Sequence, residues 1–115
     1  MDAPETVRRY YDALDAHEYG PLESVLAPGF VQRRPDRTFE SREAFVQFMR
    51  EERPNPDTSH DLESVLVDGD RVAVRGRVRD ADEVLFEFAD FFALECHDDS
   101  RAPVIERLET FARKG

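Results

Sequence analysis

"LESVLVDGDRVAVRGRVRDADEVLFEFADFFAL", residues 62–94, decides the fold. Apolar and charged residues alternate along it, and two short polar breaks, "DGD" and "DAD", interrupt the alternation. A period of two is the mark of a half-buried strand, and breaks of this kind are hairpin turns. The pattern predicts strands over 59–66, 70–79 and 83–96, with a fourth over 103–112. A three-residue loop, Val67-Asp68-Gly69 with Gly69 left-handed, sets Ser64 opposite Val72, Leu62 opposite Val74 and His60 opposite Gly76. A second loop, Asp80-Ala81-Asp82, pairs Val78 with Val84, Gly76 with Phe86, Val74 with Phe88 and Val72 with Asp90. A one-residue slip would exchange the faces, so the odd loop lengths are preferred. One face then carries His60, Leu62, Ser64, Leu66, Val72, Val74, Val78, Val84, Phe86, Phe88, Asp90, Phe92 and Leu94. The other carries Arg71, Arg75, Arg77 and Arg79 flanked by acids, with Asp61 facing Arg75, Glu83 facing Arg79 and Glu87 facing Arg75.

Upstream of this meander the period is helical. "DAPE" reads as a capping box from Asp2 to Glu5, and Val7, Tyr10, Tyr11 and Leu14 follow on one face, giving a helix over 3–16. Gly20-Pro21 opens a short helix carrying Leu22, Val25 and Leu26, which Pro28-Gly29 ends. "FVQRR" is a short strand. Ser41 caps a third helix bearing Phe45, Phe48 and Met49, stopped before Pro54, and "RPNPD" is a turn-rich connector. Helices first and meandering strands afterwards make an α+β fold, helices packed on one face of an antiparallel sheet.

The 115 residues suit one domain with a single core. Forty per cent apolar residues and nine Phe argue for a folded chain. A net charge of −10, from 26 acids against 16 bases, opposes nucleic-acid binding. Among the bases only Lys114 is a lysine. The acids are spread along the chain, which reads as a solvated surface of the kind a saline medium screens. No apolar run reaches spanning length and "MDAPETVRRY" has no leader pattern, so a soluble, cytoplasmic protein without membrane partners is expected. Cys96 alone excludes an internal disulfide. Cys96 and His97, as strand neighbours, point to opposite faces, and His17 has no partner at ligand spacing, so no metal is expected. No phosphate loop, dinucleotide fingerprint or nucleophile elbow is present, and no cofactor is expected.

Three features carry candidate chemistry. The Arg row is readily neutralised by cross-strand acids. Its face also bears Val65, Ala73, Leu85, Ala89, Phe91 and Ala93, an apolar outer surface that suggests a homodimer through the sheet. His60 enters the inner face near a strand start, as a pocket acid or base or as a rim histidine in water. Asp90 lies on the apolar face between Phe88 and Phe92. A carboxyl there holds its proton more tightly, and a neutral carboxylic acid can donate to a carbonyl or a forming enolate; ketosteroid isomerase is the established example of that device. The competing reading is an Asp bonded to a Tyr or Arg in an inert core.

"VRRYYDALDAHEYGPLESVLAPGFV", "SREAFVQFM", "DGDRVAVRGRV" and "FADFF", in that order, cover nearly the whole chain. Together they resemble the nuclear transport factor 2-like superfamily, in its SnoaL-like and ketosteroid-isomerase-like branch. The resemblance implies one domain over 1–115, a cone in which a strongly curved sheet wraps the helices around a ligand-sized cavity, and frequent dimers. It places Asp90 of "FADFF" as the hydrogen-bonding acid and Tyr10 of "RRYYDAL" as its tyrosine partner, with Tyr11 a near rival. The isomerases' general base is an aspartate before a proline; here "QRRPDR" puts Arg34 before Pro35, and a guanidinium cannot take a proton from carbon. The usual "DG" turn before the last strand is replaced by "HDDSRAP".

Three functions follow as expectations. One is a pocket protein for a mostly apolar small molecule with a polar or anionic group, walled by Phe86, Phe88 and Phe92, oriented by Tyr10 and Asp90, with Arg34 pairing a carboxylate. Another is an isomerase, cyclase or hydratase with Tyr10 and Asp90 as donors and His60 or Asp36 as base. The third is a dimeric interaction module whose cavity is filled by its own side chains.

Overall fold

The computed structural model describes residues 3–53, 57–95 and 102–113. Three helices, α1 (Ala3–Ala16), α2 (Tyr19–Ser24) and α3 (Arg42–Glu51), pack against a six-stranded curved, open sheet. Its strands are β1 (Leu26–Arg33), β2 (Thr38–Phe39), β3 (Thr58–Asp68), β4 (Arg71–Asp80), β5 (Glu83–Glu95) and β6 (Val104–Arg113). Their order is β2-β1-β6-β5-β4-β3, and every neighbouring pair is antiparallel except β1 with β6. The expected α+β class with N-terminal helices on a curved sheet therefore holds, with one parallel pair inside it.

Helix α1 buries Val7, Tyr10, Tyr11 and Leu14 on one face. It ends where His17 turns left-handed (φ 58°) and Glu18 N–H donates to the Ala13 carbonyl at 2.9 Å, a Schellman closure. Ser41 caps α3 by accepting the Ala44 N–H at 3.1 Å. The helix buries Phe45, Phe48 and Met49, as the pattern predicts. The core formed by these faces includes Phe30, Ile105 and Leu108, all fully buried.

Helix α2 ends earlier than expected. Leu26, Pro28 and Gly29 belong to β1, and the pairing of β1 with β6 shifts register between Leu26 and Val31. A proline cannot donate to a ladder, so it is accommodated at such a break, exposed to solvent. Strand β2 was not foreseen. Cys96, His97, Asp2 and most of the "HDDSRAP" turn lie outside the described residues.

The hairpin registers differ from the expected ones. Between β3 and β4 the loop is Gly69-Asp70, closed by Asp68 opposite Arg71, with Gly69 at φ 61°. A glycine at the first of two loop positions suits a type II′ turn, whose twist matches the strands. A bulge between Leu62 and Ser64 then exchanges the faces. His60 and Leu62 stay inside, but Val65 turns inward, while Ser64 and Leu66 turn out and Leu66 is 67% exposed. Between β4 and β5 the loop is Ala81-Asp82, and the register is two residues from the expected one: Gly76 faces Phe88 and Val74 faces Asp90. A shift of two preserves the faces, so Asp90 remains inside. A bulge beside Leu85 turns Leu85 toward the core and leaves Val84 exposed. On the outer face Asp61 pairs with Arg79 and Glu63 with Arg77, not in the expected combinations.

Candidate functional site

A cavity of about 420 Å³ opens between α1, α3, the end of β1 and the inner faces of β3 to β6. Its walls are mainly apolar: Leu14, Phe48, Met49, Val78, Leu85, Phe86 and Phe88. Its polar lining falls into a deep end around Asp90 and a mouth around His60, Arg34 and Asp36.

Asp90 is 5% exposed. Tyr11 donates its hydroxyl to Oδ2 at 2.5 Å and Thr110 donates to Oδ1 at 2.7 Å. Gln32 Nε2 donates to the Thr110 hydroxyl at 2.9 Å, which fixes the direction of that chain. Burial raises the Asp90 pKa above the ordinary carboxylate value; the two hydroxyl bonds, and then His60 and Arg34 at longer range, offset only part of this. Burial and the Asp90 charge together push the Tyr11 phenol far up, so it remains a donor. Each carboxyl oxygen has a second lone pair. A protonated Asp90 can therefore keep both bonds and turn its own O–H toward the cavity.

The partner tyrosine is Tyr11, not Tyr10. Both are buried, but Tyr10 packs edge-on to Phe92 with centroids 5.5 Å apart and stacks on Phe45 at 6.2 Å. Tyr10 still lines the cavity. Phe92 does not line it: on the bulged sheet it packs beneath both tyrosines as core. Phe86 and Phe88 line the cavity.

His60 lines the mouth with its side chain 15% exposed. Asp15, one helical turn beyond Tyr11 on α1, grips it twice. Asp15 Oδ2 accepts the His60 backbone N–H at 3.0 Å, and Oδ1 lies 2.6 Å from Nδ1. In the tautomer whose Nδ1–H donates to Asp15, a neutral ring carries its lone pair on Nε2. The ring also stands against Tyr11 and Phe88, at centroid distances of 5.2 and 5.6 Å. One helix thus orients both groups, Asp90 through Tyr11 and His60 through Asp15.

Arg34 and Asp36 share the mouth. A turn in which Arg34 N–H donates to the Arg37 carbonyl at 2.8 Å holds them together. Arg34 Nε is 3.3 Å from Asp36 Oδ1, and Arg37 Nε is 3.6 Å from Oδ2. Arg53 lines the cavity too, donating to the Leu14 carbonyl at 3.0 Å and to Thr58 Oγ1 at 2.8 Å. Among the described residues no cluster of His, Cys, Asp and Glu could hold a metal, and His17 Nδ1 lies 3.2 Å from the Tyr19 hydroxyl.

The structure brings Asp90, Tyr10, His60, Arg34, Phe86, Phe88 and Asp36 to the lining of one cavity. Sequence reasoning named Tyr11 only as the rival of Tyr10 and missed Asp15, Thr110 and Gln32. The signal for Asp15 was present: it follows Tyr11 by four residues, so both sit on one helix face.

This cavity arrangement accompanies a clear family assignment. Residues 7–100 match the model of the SnoaL-like domain. The chain belongs to the SnoaL-like family. No curated protein sequence matches it. A provisionally assigned ketosteroid isomerase from Kribbella flavida superposes with a TM-score of 0.81 at 20% identity, over 99% of this chain and 79% of that one. A nuclear transport factor 2-like protein of unknown function from Cytophaga hutchinsonii gives 0.79 at 14% identity, over 96% and 89%. An LEH-like epoxide hydrolase from M. tuberculosis gives 0.73 at 14% identity, over 97% and 83%. At such identities the SnoaL-like chain shares a fold with these proteins; its chemistry rests on its own residues. Among its described residues no helix is long and apolar enough to cross a membrane.

Proposed function

We propose that this SnoaL-like protein binds a mostly apolar carbonyl compound in its cavity and moves a proton at the carbon beside the carbonyl. His60 is the base, through Nε2, and Asp15 is its positioning residue. Asp90, carrying its proton, donates to the carbonyl oxygen as negative charge develops there. Tyr11 and Thr110 hold the Asp90 carboxyl in place. Returning the proton to another carbon gives an isomerisation; attack of the enolate carbon on a second carbonyl gives a cyclisation. The observation that carries this reading is that the Asp15-held imidazole and the buried carboxyl line the same cavity. An aspartate before a proline is not required when another base reaches the cavity. The exposed rings of Phe91 and Phe111 on the outer face support pairing of two copies there.

Hydrogen–deuterium exchange of 2-tetralone in D2O, followed by proton NMR, tests the reaction without a natural substrate. The protein should exchange the protons beside the carbonyl faster than free imidazole at equal concentration. His60→Ala should lose about 100-fold of that acceleration. Exchange no faster than imidazole would overturn the reading, and binding without exchange would leave the cavity a binding site alone.

A further inference from the structure

Asp36 is a poor permanent partner for Arg34. The closest approach of 3.3 Å exceeds the ~2.7–2.9 Å of a charge-assisted hydrogen bond. The Asp36 side chain is 57% exposed and shared with Arg37, whose guanidinium lies 4.5 Å over the Phe48 ring. The Arg34 side chain is only 27% exposed and lines the cavity. Arg53 adds a second guanidinium to the lining, engaged by a carbonyl and a hydroxyl. Against these two cations the lining sets Asp36 and the buried Asp90. On a chain of net charge −10, this mouth is a place where an anion is not repelled locally.

We propose that Arg34 receives a carboxylate of the ligand and that Asp36 holds that place until the ligand displaces it. The substrate class is then a mostly apolar carboxylate whose hydrocarbon part lies along Phe48, Phe86 and Phe88. This deepens the proposed function, resting on the same cavity and adding the group that orients the ligand at the mouth. Displacing Asp36 needs only a side-chain rotation, because the turn from Arg34 to Arg37 is closed by its own backbone bond. Asp36 is thus a competitor, and its removal should strengthen binding.

The experiment compares 2-naphthoate with its uncharged methyl ester, by calorimetry or by shifts in the protein NMR spectrum. The wild-type chain should bind 2-naphthoate about fivefold more tightly than the ester, as a half-buried ion pair gives. Asp36→Asn should widen that preference by about twofold, and Arg34→Gln should abolish it. The Asp36→Asn arm needs no change at a buried position, so it stands even where Arg34→Gln lowers stability. Ester binding as tight as naphthoate binding, or an Asp36→Asn protein with unaltered preference, overturns this inference and leaves the cavity reading intact. Failure of both probes to bind overturns both.

Discussion

The deep end and the mouth of the cavity hold their carboxylates in opposite ways. Asp90 is 5% exposed and is met by two neutral hydroxyls, while the Asp36 side chain is 57% exposed and is met by two guanidiniums. Water can solvate Asp36 whatever its partners do, so its ion pairs are loose and replaceable. Asp90 depends on the protein for every hydrogen bond, and neutral donors offset its lost hydration only in part. On the functions proposed for them, that difference divides the labour: the deep end holds a proton and the mouth exchanges an anion.

The largest expected effect tests the packing behind the deep end. Phe88 lies against Gly76, where an added Cβ would stand 2.3 Å from the Asp61 carbonyl oxygen and 2.9 Å from the Phe88 ring. The ring tip could turn, but the backbone carbonyl of the paired strand cannot give way cheaply. Gly76→Ala should cost about 3 kcal/mol in urea unfolding, at the upper end of overpacking effects. Asp36→Asn at the mouth should stay within about 0.5 kcal/mol, as surface changes do. Equal costs would erase the distinction between the two ends.

Next in size is the tyrosine on which Asp90 leans. Tyr11→Phe removes a short hydrogen bond to a buried carboxyl and should cost about 2 kcal/mol. Tyr10→Phe, one residue away and equally buried, should cost less than about 1 kcal/mol, because its described contacts are those of its ring. Thermal unfolding of the two variants side by side decides between them. The reverse order would return the role to Tyr10.

These neighbours also mark how far the sequence could be read. Alternation along β4 and β5 put Asp90 on the inner face even though the register is two residues off, because a shift of two leaves faces unchanged. The same reasoning failed for Ser64, Leu66, Val65 and Leu85. Bulges after Leu62 and beside Leu85 exchange the faces there, and no residue type announces them. Helices α1 and α3 were legible from their 3.6-residue period, and α3 also from its Ser41 cap. Which of two adjacent tyrosines reaches Asp90 was not, since both lie within the apolar arc of α1 and the choice depends on how the helix is rotated over the sheet. Thr110 and Gln32 were invisible for a related reason: Thr110 meets Asp90 through the β5–β6 register, and Gln32 meets Thr110 through the parallel β1–β6 pair, which the meander does not imply.

The smallest effect is also the most specific to the deep end. The Asp90 pKa is raised in the folded chain, by burial above all. The native state therefore binds this proton more tightly than the unfolded chain does. Below the ordinary carboxylate pKa of 3.8 both states are protonated and the full contribution of the neutral carboxyl to stability is present. As pH rises from there through the raised folded value the contribution is lost, at about 1.4 kcal/mol per unit separating the two pKa values. Asp90→Asn has no proton to lose. Subtracting its unfolding free energy from that of the wild type, pH by pH, cancels the many surface acids, and the difference should fall as pH rises above about 4. A difference that rises instead would mean that Tyr11 and Thr110 hold the charged form more strongly than burial opposes it. Asp90 would then be an anion at neutral pH, able to accept a proton from a ligand but not to donate one.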